Sequence, residues 1–415
     1  MIRFVAIRYL LAHMRQTLIC IAGVTISVMM FIGMTAMMSG FSDKFIIETV
    51  EATGHITIQD EPRQADTPIL QLHYKDPAAV LKLEGPKPRD TAEKIKNATG
   101  LILQLETMPG IVAAAPVVSG DAIASYGTKT ANVAISGIDP RRYLRVTTIG
   151  KNVTEGSFDR LDTTADGIIL GSGVAQLLGA RLDDNLLLSS PTGGRTNAKV
   201  VGIFSTGVTP VDYTRAYMLQ SAAQTLLDKK SIVSEIVIRT TDYNLAREQA
   251  EQIEGMFGYK TESWQEANAN FLKIFKIQTL ITYIITGARM VVAAFGVLNI
   301  LIMAVMERIS DIAILKSFGL SRGDVTKIYL VQGIVIGLIG STIGLALGKL
   351  LIEGLRRIPI QMEGLVKADG LLMSEHRSDY VTAFVASLVI VIAASVYPAR
   401  RAAKFDPVEV IRGAH

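Results

Sequence analysis

The chain of 415 residues is 49% hydrophobic and 19% charged, with a mean hydropathy of +0.35, which argues against disorder and against a chain immersed in lipid throughout. Five histidines and the single Cys20 leave nothing for a cysteine-rich zinc cluster or an internal disulfide, and 42 basic against 38 acidic residues is too even for a nucleic-acid binder. At roughly 150 residues per domain, two or three units of different polarity are expected.

Residues 1–15 carry Arg3, Arg8 and Arg15 and read as a cytoplasmic amphipathic segment. Residues 16–42 then hold no charge, and about 20 apolar residues suffice to cross hydrocarbon, so this run is expected to be transmembrane helix 1. A cleaved signal peptide is the alternative, but the run is about twice an ordinary h-region and lacks a small-x-small exit. Cys20 follows bulky Ile19 deep in the run, which suits a packing residue better than a lipidation site.

Residues 43–276 have the composition of a soluble α/β domain, with Gly, Pro, Asp and Asn between short β-branched runs. The size allows one large domain or two subdomains. Strands are predicted at 55–59, 111–118, 133–138, 167–170, 185–189, 198–204 and 234–239, and helices at 92–107, 172–178, 221–227 and 243–257. Pro62, Pro68, Pro77, Pro86 and Pro88 mark residues 60–90 as an irregular surface insertion. No catalytic constellation emerges. Gly171-Ser172-Gly173 lacks the spacing of a nucleophile elbow and reads as a turn, and His55, His73 and His376 are isolated.

Residues 277–306 form the next apolar run, expected as transmembrane helix 2, and Arg289 within it is placed near the outer end, where its stem can snorkel. After residues 307–327 comes transmembrane helix 3 at 328–352, with Gly333, Gly337, Gly340, Gly344 and Gly348 at steps of three or four residues. Such a stripe lets two backbones approach closely in lipid, within the chain or against another subunit. A loop at 353–379 precedes transmembrane helix 4 at 380–399, which is expected to end at Pro398 before Arg400, Arg401 and Lys404 of the cytoplasmic tail 400–415. Four spans put both termini on one side, and the basic ends put that side in the cytoplasm. The 43–276 domain and the 353–379 loop are then periplasmic. Residues 344–349 resemble a phosphate loop but are one residue short and lack the Ser/Thr, so any nucleotide must bind another polypeptide.

Glu307-Arg308-Ile309-Ser310-Asp311-Ile312-Ala313-Ile314-Leu315-Lys316-Ser317-Phe318-Gly319 predicts a short helix ended by Gly319 in the left-handed region, with Ser321 and Asp324 capping the next helix. This segment resembles the signature of the FtsX-like permeases of ABC transporters. The likeness continues in Tyr397-Pro398-Ala399-Arg400-Arg401, Asp406-Pro407-Val408-Glu409, Ile7-Arg8-Tyr9-Leu10, Gly54-His55-Ile56 and Gly137-Ile138-Asp139-Pro140. Ser263-Trp264-Gln265-Glu266, Asn299-Ile300 and Val331-Gln332-Gly333 are similar to the lipoprotein-releasing permeases of the LolC/LolE type.

The resemblance implies an α-helical membrane protein with four transmembrane helices and a large α/β extracytoplasmic domain of the MacB periplasmic core type between helices 1 and 2. It implies a permease without its own nucleotide site, paired with a second permease protomer and a dimer of ABC ATPases that hold ATP and Mg. The substrate is a lipoprotein or other amphiphile, with a periplasmic carrier or adaptor as a further partner and no nucleic acid. Glu307, Arg308, Asp311, Ile312, Leu315, Lys316 and Gly319 are the expected ATPase-coupling residues, and Met34, Met37, Met38 and Phe41 the expected apolar substrate contacts. Two features depart from the subgroup: residues 189–197 are short where the carrier-recruiting permease has a long hairpin, and the 60–90 insertion is long. A non-transporting transducer that activates a periplasmic partner such as a cell-wall hydrolase, and a ligand-binding receptor, are the alternative functions.

Overall fold

The computed structural model describes residues 2–60, 94–359, 361–362 and 368–405. The proline-rich insertion and the Asp406-Pro407-Val408-Glu409 motif lie outside the described residues. The chain divides into two compact units, one of residues 1–44, 273–362 and 368–415, the other of residues 45–272 and 363–367.

The first unit is helical. After a short helix Ile2–Ala12, four helices are long and apolar enough to cross a membrane: Met14–Thr53, Ala269–Glu307, Arg322–Arg356 and Arg377–Lys404. At 1.5 Å per residue, the 40 residues of the first reach about 60 Å, roughly twice the hydrocarbon thickness. Each helix buries one stripe and leaves the rest of its apolar surface outward. On the second helix the buried residues are Phe275, Thr282, Thr286, Met290, Ala294, Val297, Leu301 and Val305, spaced by three, four or seven. Cys20 is buried with Val24, Val28, Phe31 and Ile32 in the core shared by the four helices. Arg289 lies on the exposed side of its helix.

The fourth helix does not stop at Pro398. It continues to Lys404 with Pro398 inside it, although proline removes one backbone donor and ordinarily kinks or ends a helix. Beyond it Ala399, Ala402 and Ala403 are buried against Val305, Ile312, Val325 and Tyr329, and this apolar seam carries the helix onward.

The second unit is built on ten strands: β1 (Ile56–Gln59), β2 (Ile111–Tyr126), β3 (Lys129–Ile138), β4 (Val153–Gly156), β5 (Gly167–Gly171), β6 (Asn185–Ser189), β7 (Arg195–Phe204), β8 (Arg215–Leu219), β9 (Glu235–Thr240) and β10 (Lys260–Ser263). Their order is β10-β1-β9-β2-β3-β8-β5-β7-β4, and β6 pairs with both β2 and β7. The path β2-β3-β8-β5-β7-β6 therefore returns on itself, while β10, β1 and β9 continue from the first half of β2. Two buried cores result. One joins Val118, Val133, Ile168, Leu170, Val200 and Met218; the other joins Ile56, Ile58, Leu101, Leu105, Ile236, Ile238 and Ile253.

Strand β2 belongs to both cores and is longer than its hydrophobic pattern suggests. The predicted strand ends at 118, yet β2 pairs with β3 continuously from Val117↔Ile138 to Tyr126↔Lys129. A Cβ on Gly120 would lie 2.8 Å from Leu227, so the glycine makes room for a side chain lying over the strand. Pro116 is tolerated because it pairs only with β9, one residue before the β3 ladder begins. The helix predicted at 92–107 is shorter, Ala98–Glu106, because Asn97 caps it in the left-handed region and residues 94–97 are not helical, and strands β4, β8 and β10 have no counterpart among the predicted ones.

Candidate functional site

Between the second and third long helices, Ile309–Ser317 forms a separate helix, with Arg308 as its N-cap residue. It ends as the sequence suggests. Gly319 has φ +96°, its N–H bonds to the Lys316 carbonyl at 3.0 Å, and Leu320 N–H bonds to the Leu315 carbonyl at 3.3 Å, a Schellman end. Ser321 and Asp324 then form a reciprocal capping box that starts the third long helix.

The orientation of this helix divides the seven expected coupling residues. Ile312 is 2% exposed and packs with Tyr329 and Ala402, so its side chain does not present to a partner. Lys316 also turns inward, and its ammonium donates to the carbonyl oxygens of Ala403 at 2.9 Å and Phe405 at 2.6 Å. There a cation satisfies the orphan carbonyls and the negative end of the fourth helix. Arg308 is folded back, its guanidinium 4.4 Å above the Tyr9 ring, hydrogen-bonded to His13 Nε2 at 3.2 Å and paired with Asp311 at 3.3 Å. Glu307 faces the same His13 at 3.9 Å. Asp311 and Gly319 are exposed, and Leu315 is half-buried.

The outward face is occupied by two residues the sequence reading passed over. Ile314 is 49% and Phe318 82% exposed, one turn apart. Their i, i+4 spacing was visible, but the burial of Ile312 on the other side is what turns them outward. Of the two residues that brace Arg308, Tyr9 lies in the Ile7-Arg8-Tyr9-Leu10 motif, and nothing in the linear sequence singled out His13.

The glycine stripe is shared between two neighbours in the same chain. A Cβ on Gly333 or Gly337 would meet Ser395, or Leu388 and Val391, of the fourth helix; on Gly340, Gly344 or Gly348 it would meet Val24, Val28 or Ile32 of the first. Thr25 Oγ1 donates to the Gly340 carbonyl at 3.1 Å, which such an approach permits.

Of the expected substrate contacts, Met34 and Met37 are each 38% exposed on the outer face of the first helix, whereas Met38 is 8% exposed. Met38 lies one turn from Met34 on the same side of the helix, so packing rather than periodicity buries it. Phe41 packs edge-on to Phe275 at 5.8 Å.

In the second unit, residues 189–197 form the β6–β7 turn, closed by Ser190 N–H to Gly194 O at 2.8 Å. Gly171 and Gly173 sit where a Cβ would strike the backbone of Asp212 or the ring of Tyr213, so their smallness serves packing. His55 is buried; the Thr240 N–H donates to its Nδ1 at 3.1 Å, which requires the neutral ring with its proton on Nε2. Burial, reinforced by Arg239, pulls the imidazole down to about 4.

Residues 17–255 match the MacB-like periplasmic core domain, and residues 283–407 match the FtsX-like permease C-terminal family. The chain belongs to the FtsX-like permeases with a MacB-type core domain. It is 27% identical to the lipoprotein-releasing system transmembrane protein LolC of Neisseria meningitidis, across 99% of this chain and 98% of that one. It is also 27% identical to LolE of Haemophilus influenzae, over 78% of this chain and 83% of the relative. To the macrolide export ATP-binding/permease protein MacB of Acinetobacter baylyi it is 24% identical, over 96% of this chain and 57% of that protein. The periplasmic region of MacB from Actinobacillus actinomycetemcomitans aligns with 55% of the chain at 14% identity and a TM-score of 0.33. The permease is thus a multi-pass bacterial inner-membrane protein with four apolar helices and an α/β core domain between the first two.

Proposed function

We propose that this permease works with a separate ABC ATPase, which holds ATP and Mg, to lift a lipoprotein or similar amphiphile out of the outer leaflet of the inner membrane. The observation that carries this reading is the similarity to LolC over 99% of the chain, with both family regions present in order. Both termini are cytoplasmic, which puts the Ile309–Ser317 helix on the ATPase side and the core domain in the periplasm. Ile314 and Phe318 seat in the ATPase, and Lys316 carries its movement to the end of the fourth helix. The exposed face of Met34 and Met37 is the apolar surface offered to the acyl chains, whose withdrawal from lipid costs about 0.8 kcal/mol per CH₂. A second permease protomer completes the assembly.

The test is reconstitution with the cognate ATPase in proteoliposomes carrying a labelled lipoprotein. ATP-dependent release into the soluble fraction is expected. Robust ATP turnover with no lipoprotein released under any acceptor condition would overturn the reading in favour of signal transduction.

A further inference from the structure

Beside Arg308, in the helical unit, lies a cavity of about 30 Å³. That is room for about one or two water molecules and for nothing as large as an organic ligand. Its wall comes from the junction of the short helix Ile2–Ala12 with the first long helix, from the last turns of the second and from the early turns of the third. His13 and Gln16, one turn apart, line it from the first of these elements, and Tyr329 and Gln332, one turn apart, from the third. Tyr9 and Arg308 also line it.

Two groups in this wall are left bare by the protein itself. Tyr329 is 1% exposed, and its hydroxyl has no hydrogen-bond partner among the described residues. The side-chain oxygen of Gln16 is likewise buried without a donor. The Tyr329 ring is fixed in the apolar seam with Ile312 and Ala402, so its hydroxyl is not free to swing out to solvent. Leaving such groups unsatisfied is unfavourable, and more so at the edge of hydrocarbon. The chemistry narrows the occupant. Tyr329 can donate and the Gln16 oxygen can only accept, so the occupant must accept at one point and donate at another. Arg308 lines the cavity and no carboxylate does among the described residues, which disfavours a metal cation, while an acceptor oxygen disfavours an anion. An ammonium has no lone pair to offer Tyr329. Water meets each of these conditions.

We infer that internal water, as a single molecule or a hydrogen-bonded pair, bridges Tyr329 to Gln16, accepting from the tyrosine hydroxyl and donating to the glutamine oxygen. The first and third long helices are thereby joined through solvent at the point where Arg308 holds Tyr9 and His13. The inference stands whatever the permease transports.

X-ray pulses generate hydroxyl radicals from bound as well as bulk water, and mass spectrometry of the full-length protein in detergent then reports which side chains are oxidised. Tyr329 is expected to be labelled although it is 1% exposed, well above Phe204, which is 0% exposed and sets the background. Tyr329→Phe keeps the ring and removes the hydroxyl. It is expected to melt about 2–4 °C below the parent, because a satisfied hydrogen bond is lost. A hydroxyl with no partner would instead leave the melting temperature unchanged or raise it on removal. Gln16→Met removes the acceptor. Combined with Tyr329→Phe it should lower the melting temperature by less than the sum of the two single losses, since one bridge serves both groups. Labelling of Tyr329 no stronger than that of Phe204, a Tyr329→Phe protein that melts at or above the parent, or strictly additive losses would each overturn the inference.

Discussion

The ammonium of Lys316 lies 2.6 Å from the carbonyl oxygen of Phe405, tying the short helix between the second and third spans to the end of the fourth. Charge-assisted hydrogen bonds of this kind contribute about 1.5–3 kcal/mol when well shielded. Lys316→Met keeps the stem and removes the donor. Faster hydrogen exchange at the last turn of the fourth helix is expected, with ATP turnover less tightly coupled to release. Unchanged exchange would show that the tether contributes nothing.

Substitutions on the two faces of the Ile309–Ser317 helix should separate cleanly. Phe318→Ala is expected to leave the melting temperature within a degree or two while reducing ATPase co-purification by at least ~10-fold, as for an interface hot spot. Ile312→Asp places an unpaired carboxylate in an apolar seam and should cost about 3 kcal/mol or more in stability. Thermal melts and pull-downs on the same preparations distinguish the two. A Phe318→Ala protein that retains full ATPase binding would count against the exposed pair as the contact.

Gly344 faces Val28 Cβ at 2.7 Å and the Thr25 carbonyl at 2.9 Å, counted from where its own Cβ would stand. Gly344→Ala is therefore expected to destabilise the helical unit by about 1–3 kcal/mol. Gly354→Ala, in the same helix with no described residue within 4 Å of the added Cβ, should be neutral or slightly stabilising. Detergent melting curves of the pair provide the comparison, and equal effects would contradict the packing described.

His55 should make the core domain acid-sensitive. Its folded value is about 4 against 6.5 for a free imidazole. Above pH 6.5 both folded and unfolded rings are neutral and the residue has no effect. As pH falls from 6.5 to 4 the unfolded chain takes up the proton first, so stability declines through that window, by about 3 kcal/mol at ~1.4 kcal/mol per unit. His55→Asn retains an acceptor for the Thr240 N–H and should flatten this part of the pH profile; an unchanged slope would assign the acid loss to other groups.

The four spans, the interposed α/β domain and the capped helix between spans two and three were legible because each follows from local pattern: charge-free runs, short β-branched stretches, and Gly319, Ser321 and Asp324 at helix ends. Strands β4, β8 and β10 were not, because Val153–Gly156 is largely exposed, Arg215–Leu219 is short, and Lys260–Ser263 is polar and recruited by its neighbour β1. Hydrophobic periodicity cannot report a strand that exists because a partner offers it hydrogen bonds.

The linear order of apolar, small and charged residues thus determined what crosses the membrane, what stands outside it and which family the chain joins, since hydrocarbon imposes length and backbone pairing locally. Tertiary packing alone decided which way side chains face. It turned Ile312, Lys316 and Met38 inward and Ile314 and Phe318 outward, and it divided the glycines between two helices. The direction of a side chain depends on contacts far away in sequence, as between Thr25 and Gly340.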